Sequence, residues 1–384
     1  MKTDLTSQLA TANPNLPLQL LGGLSPKQFL AEYWQKKPLL IRNAVPGFTG
    51  LLSRNEMFTA ARRDDVESRL VSREGGDWDL RRGPFAAKDF KTRPHPWTVL
   101  VQGLNLIQPE AEALMQQFSF IPYARLDDVM VSWASDGGGV GPHFDNYDVF
   151  LLQGIGQRHW RIGANKDQTL VEDLPIRILK NFKPSKEWVL NSGDMLYLPP
   201  QYAHDGIAVG ECMTYSVGFR TAPAQELAEG FLNFLQDKLC LSGRYADPGL
   251  KPAKHPGELT TDMVDQVAAM LDRIRWDKAL VRDFLGEHLT EPKPHVFFDP
   301  PEKPLTPARF TAAAVKKGLR LDARTQLLFA GKQFYLNGET VEGVEAADRP
   351  GLQLLADARR LDKVEARLAE QLYDWYCDGF IHLQ

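Results

Sequence analysis

Six short segments of strand-forming residues follow one another between residues 129 and 219 of this chain. They read VMVSW, DVFLLQ, RHWRIG, DMLYLP, DGIAV and MTYSVGF, and glycine, proline, asparagine or aspartate separates them. No helical repeat lies between them, although parallel strands need a long crossover connection that is usually a helix. The pattern therefore predicts an antiparallel barrel or jelly roll rather than a sheet with βαβ connections.

The residues that flank this β region predict helices. Ser25 followed by proline is typical of a helix N-terminus, and we expect a helix over 27–34 and a short buried strand over 39–41. After the β region, a helix is expected to begin at Pro223. A second helical stretch is expected from about 261 to 288, with apolar residues at helical spacing.

The last part of the chain begins with the proline-rich segment 291–305, which we interpret as a linker. Beyond it we predict a helix over 307–317, a β-hairpin over about 319–341 that turns near Gly331, and helices over about 350–359 and 363–377. This order of elements resembles a winged-helix module.

Composition excludes several classes of protein. The chain of 384 residues has a net charge of only −4, which argues against a general nucleic-acid coat. Residues 301–384 contain as many acidic as basic residues, so direct nucleic-acid binding by this tail is not expected. No stretch approaches the roughly 20 apolar residues of a membrane helix. The first residues lack a secretory pattern, and three scattered cysteines favour neither disulfides nor a thiolate metal site, so we expect a cytoplasmic protein without a membrane partner.

The chemistry is carried by two motifs. The segment DGGGVGPHFD places His143 and Asp145 one residue apart, so both side chains share a face if the segment is a strand. The segment GDMLYLPPQYAH brings His204 to the end of a strand-turn-strand run. Two imidazoles and one carboxylate that leave open positions are the ligand set of non-haem Fe(II) oxygenases. We therefore predict a metal centre of His143, Asp145 and His204.

The other histidines lack a partner at ligand spacing. His159 adjoins Arg158 and so faces the opposite side of its strand. The remaining ones are interpreted as surface or structural residues: His95, His255, His288, His295 and His382.

An Fe(II) centre of this kind needs a source of two electrons to activate dioxygen, and a chelating 2-oxo acid supplies them. Such a co-substrate has a distal carboxylate, which arginine grips through two parallel hydrogen bonds. Arg158 follows the Gly154-Ile155-Gly156 turn, on what we expect to be the return strand of a hairpin that starts at His143. We predict that Arg158 binds the distal carboxylate and that the hydroxyls of Ser132 and Thr214 assist.

These motifs resemble the JmjC-type 2-oxoglutarate oxygenases, and among them the ribosomal oxygenases. The resemblance rests on residues 137–163 and 193–206, on the early segment 29–41 and on MTYSVGFR at 213–220. It extends over essentially the whole chain, because members of the family have a helical dimerisation region and a winged-helix tail in the same order. It implies an α+β protein: a double-stranded β-helix (cupin or jelly-roll) oxygenase domain over 1–221, a helical dimerisation domain over 222–290 and a winged-helix domain over 291–384. A homodimer is implied as well.

The resemblance also implies a reaction and a substrate. Fe(II) held by the triad, with 2-oxoglutarate and O2 as co-substrates, would hydroxylate an arginine of a large-subunit ribosomal protein, the one numbered sixteen. The positions that match Asp128, Tyr147 and Ser216 would contact the substrate side chain. Five aspartates between residues 126 and 150, without a basic residue, are expected to make the mouth of the barrel acidic and to favour a cationic partner.

Two alternatives remain open at the level of sequence. The same chemistry could act on a histidine or a methylated lysine of another basic protein. The chain could also be a non-catalytic, cupin-like binding or regulatory protein.

Overall fold

In the computed structural model, the described residues are 13–91, 93–200 and 202–384. The N-terminal residues on which the expectation about secretion rests lie outside this set, as does Gln201 of the second metal motif. The chain divides into two compact units: one contains the residues up to Thr221 with 292–325 and 347–384, and the other contains 222–291 and 326–346. The three-domain division of the sequence stays a prediction.

The first unit begins with the two elements that the sequence predicts. Helix α1 (Pro26–Glu32) has Ser25 as its N-cap, and Ser25 and Gln28 form a capping box through their side chains. Strand β1 (Leu39–Ile41) follows. Helices α2 (Arg54–Ala60) and α3 (Pro109–Gln116) complete the helical part of the first half of this unit.

The centre of the unit is an eight-stranded antiparallel sheet with the strand order β1-β9-β6-β11-β5-β4-β2-β3. Its further members are β2 (Ser68–Glu74), β3 (Asp77–Arg82), β4 (Trp97–Val101), β5 (Leu126–Ala134), β6 (Val149–Gln153), β9 (Met195–Leu198) and β11 (Cys212–Phe219). A three-stranded sheet with the order β10-β7-β8 faces it, formed by β7 (Gln157–Gly163), β8 (Lys186–Leu190) and β10 (Ala203–Val209). All six predicted strand segments are thus strands, which confirms the jelly-roll interpretation.

The two faces of the large sheet differ in chemistry. One face packs against the N-terminal helices through an aromatic core that includes Phe29, Phe118, Phe150, Tyr197 and Phe219. The other face carries small and polar residues at alternate positions of β5 and β11, such as Ser132 and Thr214. Because neighbouring side chains on a strand point to opposite faces, one strand supplies both the core and a polar interior.

The predicted hairpin between the first metal motif and Arg158 is wrong. Strand β6 pairs with β9 and β11 of the large sheet, whereas β7 pairs with β8 and β10 of the small sheet. The Gly154–Gly156 turn therefore carries the chain from one sheet to the other. This crossing places Arg158 on the strand next to β10, which carries His204.

The second unit contains α4 (Ala224–Lys238), α5 (Thr261–Leu271), α6 (Lys278–Thr290) and a three-stranded sheet of β13 (Leu327–Ala330), β14 (Gln333–Leu336) and β15 (Glu339–Val341). The single helical stretch expected over 261–288 is wrong, because the helix ends at Leu271 and a new one begins at Lys278. The carboxylate of Asp277 accepts a hydrogen bond from the Leu280 N–H and caps α6. Hairpin β13–β14 turns at Gly331, as predicted.

The C-terminal part of the first unit contains α7 (Pro307–Lys317), α8 (Arg349–Ala358), α9 (Ala366–Gln371) and α10 (Tyr373–Cys377). Strand β12 (Leu319–Leu321) was expected to begin the hairpin, but it pairs with β16 (Arg360–Leu361) and β17 (Ile381–Leu383). The last predicted helix is interrupted at Leu372. Among the described residues, no helix is long and apolar enough to cross a membrane.

Candidate active site

The three residues of the predicted metal centre come together, although no regular strand carries the H-x-D segment. His143 forms an isolated antiparallel bridge with His204. The His143 N–H donates to the His204 carbonyl oxygen (2.9 Å), and the His204 N–H donates to the His143 carbonyl oxygen (2.8 Å). Asp145 lies in the loop before β6. One ligand atom of each residue lies within 4.8 Å of the others, so the group can hold a metal ion.

Hydrogen bonds orient both imidazole rings. Nδ1 of His143 lies 2.9 Å from the carbonyl oxygen of Gly141, and Nδ1 of His204 lies 2.9 Å from the carbonyl oxygen of Tyr202. A carbonyl only accepts, so each Nδ1 carries the proton and each Nε2 keeps its lone pair. The backbone thus fixes the tautomer that a metal requires.

Glycines let the backbone before the triad come close to β10. A Cβ on Gly139 would lie only 2.5 Å from the carbonyl oxygen of Gly206. Gly141 has φ = +77°, a conformation that side chains disfavour, and its carbonyl oxygen is the one that orients His143. The glycine run therefore allows the backbones of the two metal motifs to lie close together.

The electrostatics of His204 favour a neutral ring. The residue is 3% exposed. Burial lowers the pKa of His204 to about 4, and the nearby His143 ring adds to this, whereas Asp145 opposes it. Nε2 of His204 lies 3.6 Å from Oδ2 of Asp145. A neutral imidazole next to a carboxylate is the protonation state in which such a group binds a cation.

A cavity of about 620 Å³ opens between the two sheets, and the triad lines it. Its floor is formed by β5 and β11, where Ser132 lies opposite Thr214 and Met130 opposite Ser216. All nine residues predicted for the site line this cavity: Asp128, Ser132, His143, Asp145, Tyr147, Arg158, His204, Thr214 and Ser216. Residues far apart in sequence therefore line one cavity.

Arg158 is 4% exposed and points into the interior between the sheets. Its Nε and Nη2 have no hydrogen-bond partner among the described residues, and its guanidinium carbon lies 5.8 Å from the centre of the Trp160 ring. On β7 it lies opposite Ala208, four residues from the point where His204 pairs with Ile162. That offset corresponds to roughly 13 Å along the strands. A buried cation without a partner is costly, so the site is suited to an anionic ligand.

Asp128 is buried at the opposite side of the cavity floor. Its Oδ2 accepts a hydrogen bond from the Gly103 N–H (2.9 Å), and the side chain of Gln102 also bonds to it. Burial raises the pKa of Asp128, and the carboxylate of Asp127 raises it further. A cation that enters the cavity would oppose this rise and favour the charged form.

The remaining predicted contacts differ in their surroundings. Tyr147 is 40% exposed, whereas Ser132, Thr214 and Ser216 are buried. The hydroxyl of Thr214 donates to Oε1 of Gln153 (3.0 Å). Thr214 would have to rotate its hydroxyl away from Gln153 before it could donate to a ligand.

The expected acidic mouth is only partly correct. Asp148 is fully buried on the aromatic side of the large sheet, where it accepts a hydrogen bond from the Tyr197 hydroxyl (2.6 Å). Asp136 accepts a hydrogen bond from the Gly210 N–H and so stabilises a turn. Asp127 lies at the cavity but pairs with Lys293 (3.0 Å). The cavity therefore keeps Asp127, Asp128 and Asp145, while the other two aspartates are structural.

The sequence interpretation missed three further arginines that line the cavity: Arg69, Arg82 and Arg177. Arg69 and Arg82 lie on the hairpin of β2 and β3, and Nη2 of Arg69 donates to Oε1 of Gln102 (3.1 Å). The Gly75-Gly76 pair between two alternating runs is a hairpin signal that could have located this element. With these arginines the cavity is mixed in charge rather than acidic.

Three histidines outside the triad lie near a carboxylate. His159 lies 3.2 Å from Glu187, His95 lies 3.7 Å from Glu74, and His382 lies 2.8 Å from Asp322. His159 faces the carboxylate of Glu187 on the neighbouring strand β8, and His159 does not line the cavity.

Two protein-family models match the chain. A JmjC domain matches residues 113–227, and a ROXA-like winged helix matches residues 273–382. Together with the His-Asp-His donor set, they define a metal-dependent oxygenase of the JmjC class.

Individual relatives narrow this class. The chain is 33% identical to the ribosomal protein uL16 3-hydroxylase of Escherichia coli strain K12 over 334 residues, which cover 85% of this chain and 87% of that protein. It is also similar to YcfD, a ribosomal oxygenase from Escherichia coli, in complex with cobalt and 2-oxoglutarate (TM-score 0.80, 30% identity) and with cobalt and succinic acid (TM-score 0.79, 31% identity). Each match covers 94% of this chain and 98% of the other. The chain belongs to the ribosomal oxygenase family and is a JmjC-type 2-oxoglutarate oxygenase, which confirms the resemblance of its motifs.

Proposed function

We propose that this protein hydroxylates an arginine side chain of the large-subunit ribosomal protein uL16, and that it does so in the cytoplasm. The observation that carries the proposal is a buried carboxylate, Asp128, in the same cavity as the His-Asp-His group. A cation in the cavity would stabilise the charged form of this carboxylate. The relative that hydroxylates uL16 supplies the identity of the substrate protein.

We assign the metal to His143, Asp145 and His204. Their donor set and their fixed tautomers fit Fe(II) with open coordination positions. Bound Fe(II) would activate dioxygen, with one oxygen atom entering the substrate C–H bond and the other entering succinate as 2-oxoglutarate loses CO2. The protein's part is to hold the metal, to orient both substrates and to limit access of water.

We assign the distal carboxylate of 2-oxoglutarate to Arg158. Support comes from the two unpartnered guanidinium nitrogens and from their burial, since a dicarboxylate between Arg158 and the triad would satisfy the buried cation. Ser132 is the better placed of the two assisting hydroxyls, because that of Thr214 donates to Gln153.

We assign the arginine side chain of the substrate to Asp128, Tyr147 and Ser216. The Asp128 carboxylate can accept guanidinium hydrogen bonds, and the Tyr147 ring offers a face on which the planar cation can stack. Ser216 pairs with Met130, which lies on β5 between Asp128 and Ser132. Ser216 is therefore placed between Asp128 and the hydroxyl that we assign to the co-substrate. An aliphatic carbon of the side chain would then face the metal.

The test is direct. Purified protein is incubated with Fe(II), 2-oxoglutarate and ribosomal proteins, and the proteins are analysed by mass spectrometry with succinate measured in parallel. We expect the gain of one oxygen atom on an arginine of uL16, and no gain with His143→Ala. Oxidation of a histidine, or demethylation of a lysine, would instead establish the same chemistry on another target. A protein that yields neither an oxidised product nor succinate would be a non-catalytic binding protein.

We also propose a homodimer. Helix α5 has no buried residue, and its apolar side chains Val264, Val267 and Leu271 are 52%, 40% and 57% exposed. An apolar stripe of this kind is suited to a symmetric contact with a second copy. The C-terminal tail, with balanced charge, is proposed to serve docking or structure rather than nucleic-acid binding.

A further inference from the structure

Gly218 on β11 lies between two of the residues that we assign to the substrate. It lines the cavity, and its nearest neighbours across the open space are Asp128 and Tyr147. It pairs with Val149 of β6, while the register to β5 shifts between Val217 and Phe219. Gly218 thus continues the polar face formed by Thr214 and Ser216 towards Asp128.

Neither the backbone nor the packing requires a glycine at this position. Its φ lies outside the left-handed region. A Cβ would lie 3.7 Å from Oδ1 of Asp128, 3.9 Å from the Asp128 carbonyl oxygen and 3.9 Å from Cε2 of Tyr147, which is ordinary van der Waals contact. By contrast, a Cβ on Gly206 would overlap the Trp160 ring at 2.7 Å. The space beside Gly218 is therefore large enough for a methyl group, and it borders both the carboxylate and the ring.

One carboxylate oxygen of Asp128 borders this space and could accept a hydrogen bond from a ligand there. Oδ2 accepts a hydrogen bond from the Gly103 N–H, and the Gln102 side chain also bonds to the carboxylate. Oδ1 is the oxygen nearest to a Cβ at Gly218. A donor nitrogen that bonds to Oδ1 stands about 2.9 Å from it. A methyl group at the Cβ position would contact both Oδ1 and the Tyr147 ring. It would therefore compete with such a donor nitrogen for the space next to Oδ1.

We propose that Gly218 determines specificity for the substrate. Its missing side chain leaves a slot in which a flat, unsubstituted guanidinium bonds to Oδ1 of Asp128 while it rests on the Tyr147 ring. A methyl group in this slot, whether on the protein or on the guanidinium, excludes that arrangement. The inference rests on the proposed arginine hydroxylation.

The test compares Gly218→Ala with Gly257→Ala as a matched control, because a Cβ on Gly257 meets nothing within 4 Å. Both variants are assayed with a uL16 peptide that contains the target arginine. Loss of a charge-assisted hydrogen bond predicts a rise of KM of about tenfold or more for Gly218→Ala. We expect kcat to change by less, and the rise of Tm on adding 2-oxoglutarate to stay as in the wild type. The control should match the wild type throughout.

A second measurement uses the wild type alone, so it does not depend on the folding of a variant. The same peptide with one methyl group on the guanidinium should show a similar rise of KM. Suppose that the wild type hydroxylates the arginine peptide, but that neither Gly218→Ala nor methylation of the peptide changes KM by more than about twofold. The proposed role of Gly218 is then refuted, and the proposed function stands. If the wild type leaves the arginine peptide unmodified, the proposed function fails and the inference fails with it.

Discussion

Replacing Arg158 by glutamine tests the assignment of the co-substrate most directly. The change removes a guanidinium that is 4% exposed and whose Nε and Nη2 have no hydrogen-bond partner among the described residues. Glutamine keeps part of the volume and a hydrogen-bonding group but no charge. The cavity should stay intact, while the distal carboxylate of 2-oxoglutarate loses its cation.

The magnitude follows from the two hydrogen bonds that the guanidinium would make. A hydrogen bond to a charged group contributes about 1.5–3 kcal/mol. Two of them correspond to about 3–6 kcal/mol, or roughly 10²- to 10⁴-fold in the Kd of 2-oxoglutarate. Arg158→Lys keeps the charge but not the paired geometry, so its loss should be smaller, roughly tenfold to a hundredfold.

The assay measures succinate formation against 2-oxoglutarate concentration, together with metal affinity. We expect KM for 2-oxoglutarate to rise while metal affinity is retained. Without co-substrate, the variant should be at least as stable as the wild type in denaturant, because an unpaired buried cation has been removed. The control is His159→Gln, on the same strand but facing Glu187 rather than the cavity. A KM within about threefold of the wild type, or an equal loss of metal affinity, would refute the assignment.

Four further outcomes follow from particular residues. Asp128→Asn should lower kcat/KM for the uL16 peptide at least tenfold while metal binding is retained, and unchanged turnover would remove Asp128 from the substrate site. Because burial lowers the pKa of His204 from 6.5 to about 4, the unfolded chain takes up this proton first as the pH falls. Between pH 6.5 and about 4, the free energy of unfolding of the metal-free wild type should therefore decrease, and urea unfolding measures it. The decrease should be about 3 kcal/mol larger than in the His204→Asn variant. Gly286→Ala should destabilise the protein by about 1–3 kcal/mol in the same assay, since its Cβ would lie 2.3 Å from the Tyr335 ring. Val267→Asp should convert the proposed dimer to monomer in light scattering, and an unchanged mass would exclude α5 from the interface.

The match between prediction and structure is best where a short segment decides its own conformation. Ser25 and Gln28 cap α1 within one helical turn, so the sequence alone predicts that N-terminus. Arg158 and Trp160 face the cavity while His159 faces away, because alternation along a strand is a local property. His143, Asp145 and His204 were predicted from motif spacing and ligand chemistry, although no regular strand carries His143 and Asp145.

The tertiary structure alone decided which strands meet. The backbones of His143 and His204 bridge each other, whereas β6 and β7, only three residues apart, lie in different sheets. It also decided that Asp148 faces an aromatic core and that Arg69 and Arg82 reach the cavity. Strand pairing depends on the burial of whole faces by distant segments, and a local pattern contains no information about its partner. The sequence by itself therefore determined the chemistry that the site can perform, and the packing of the two sheets determined which charges share the cavity with it.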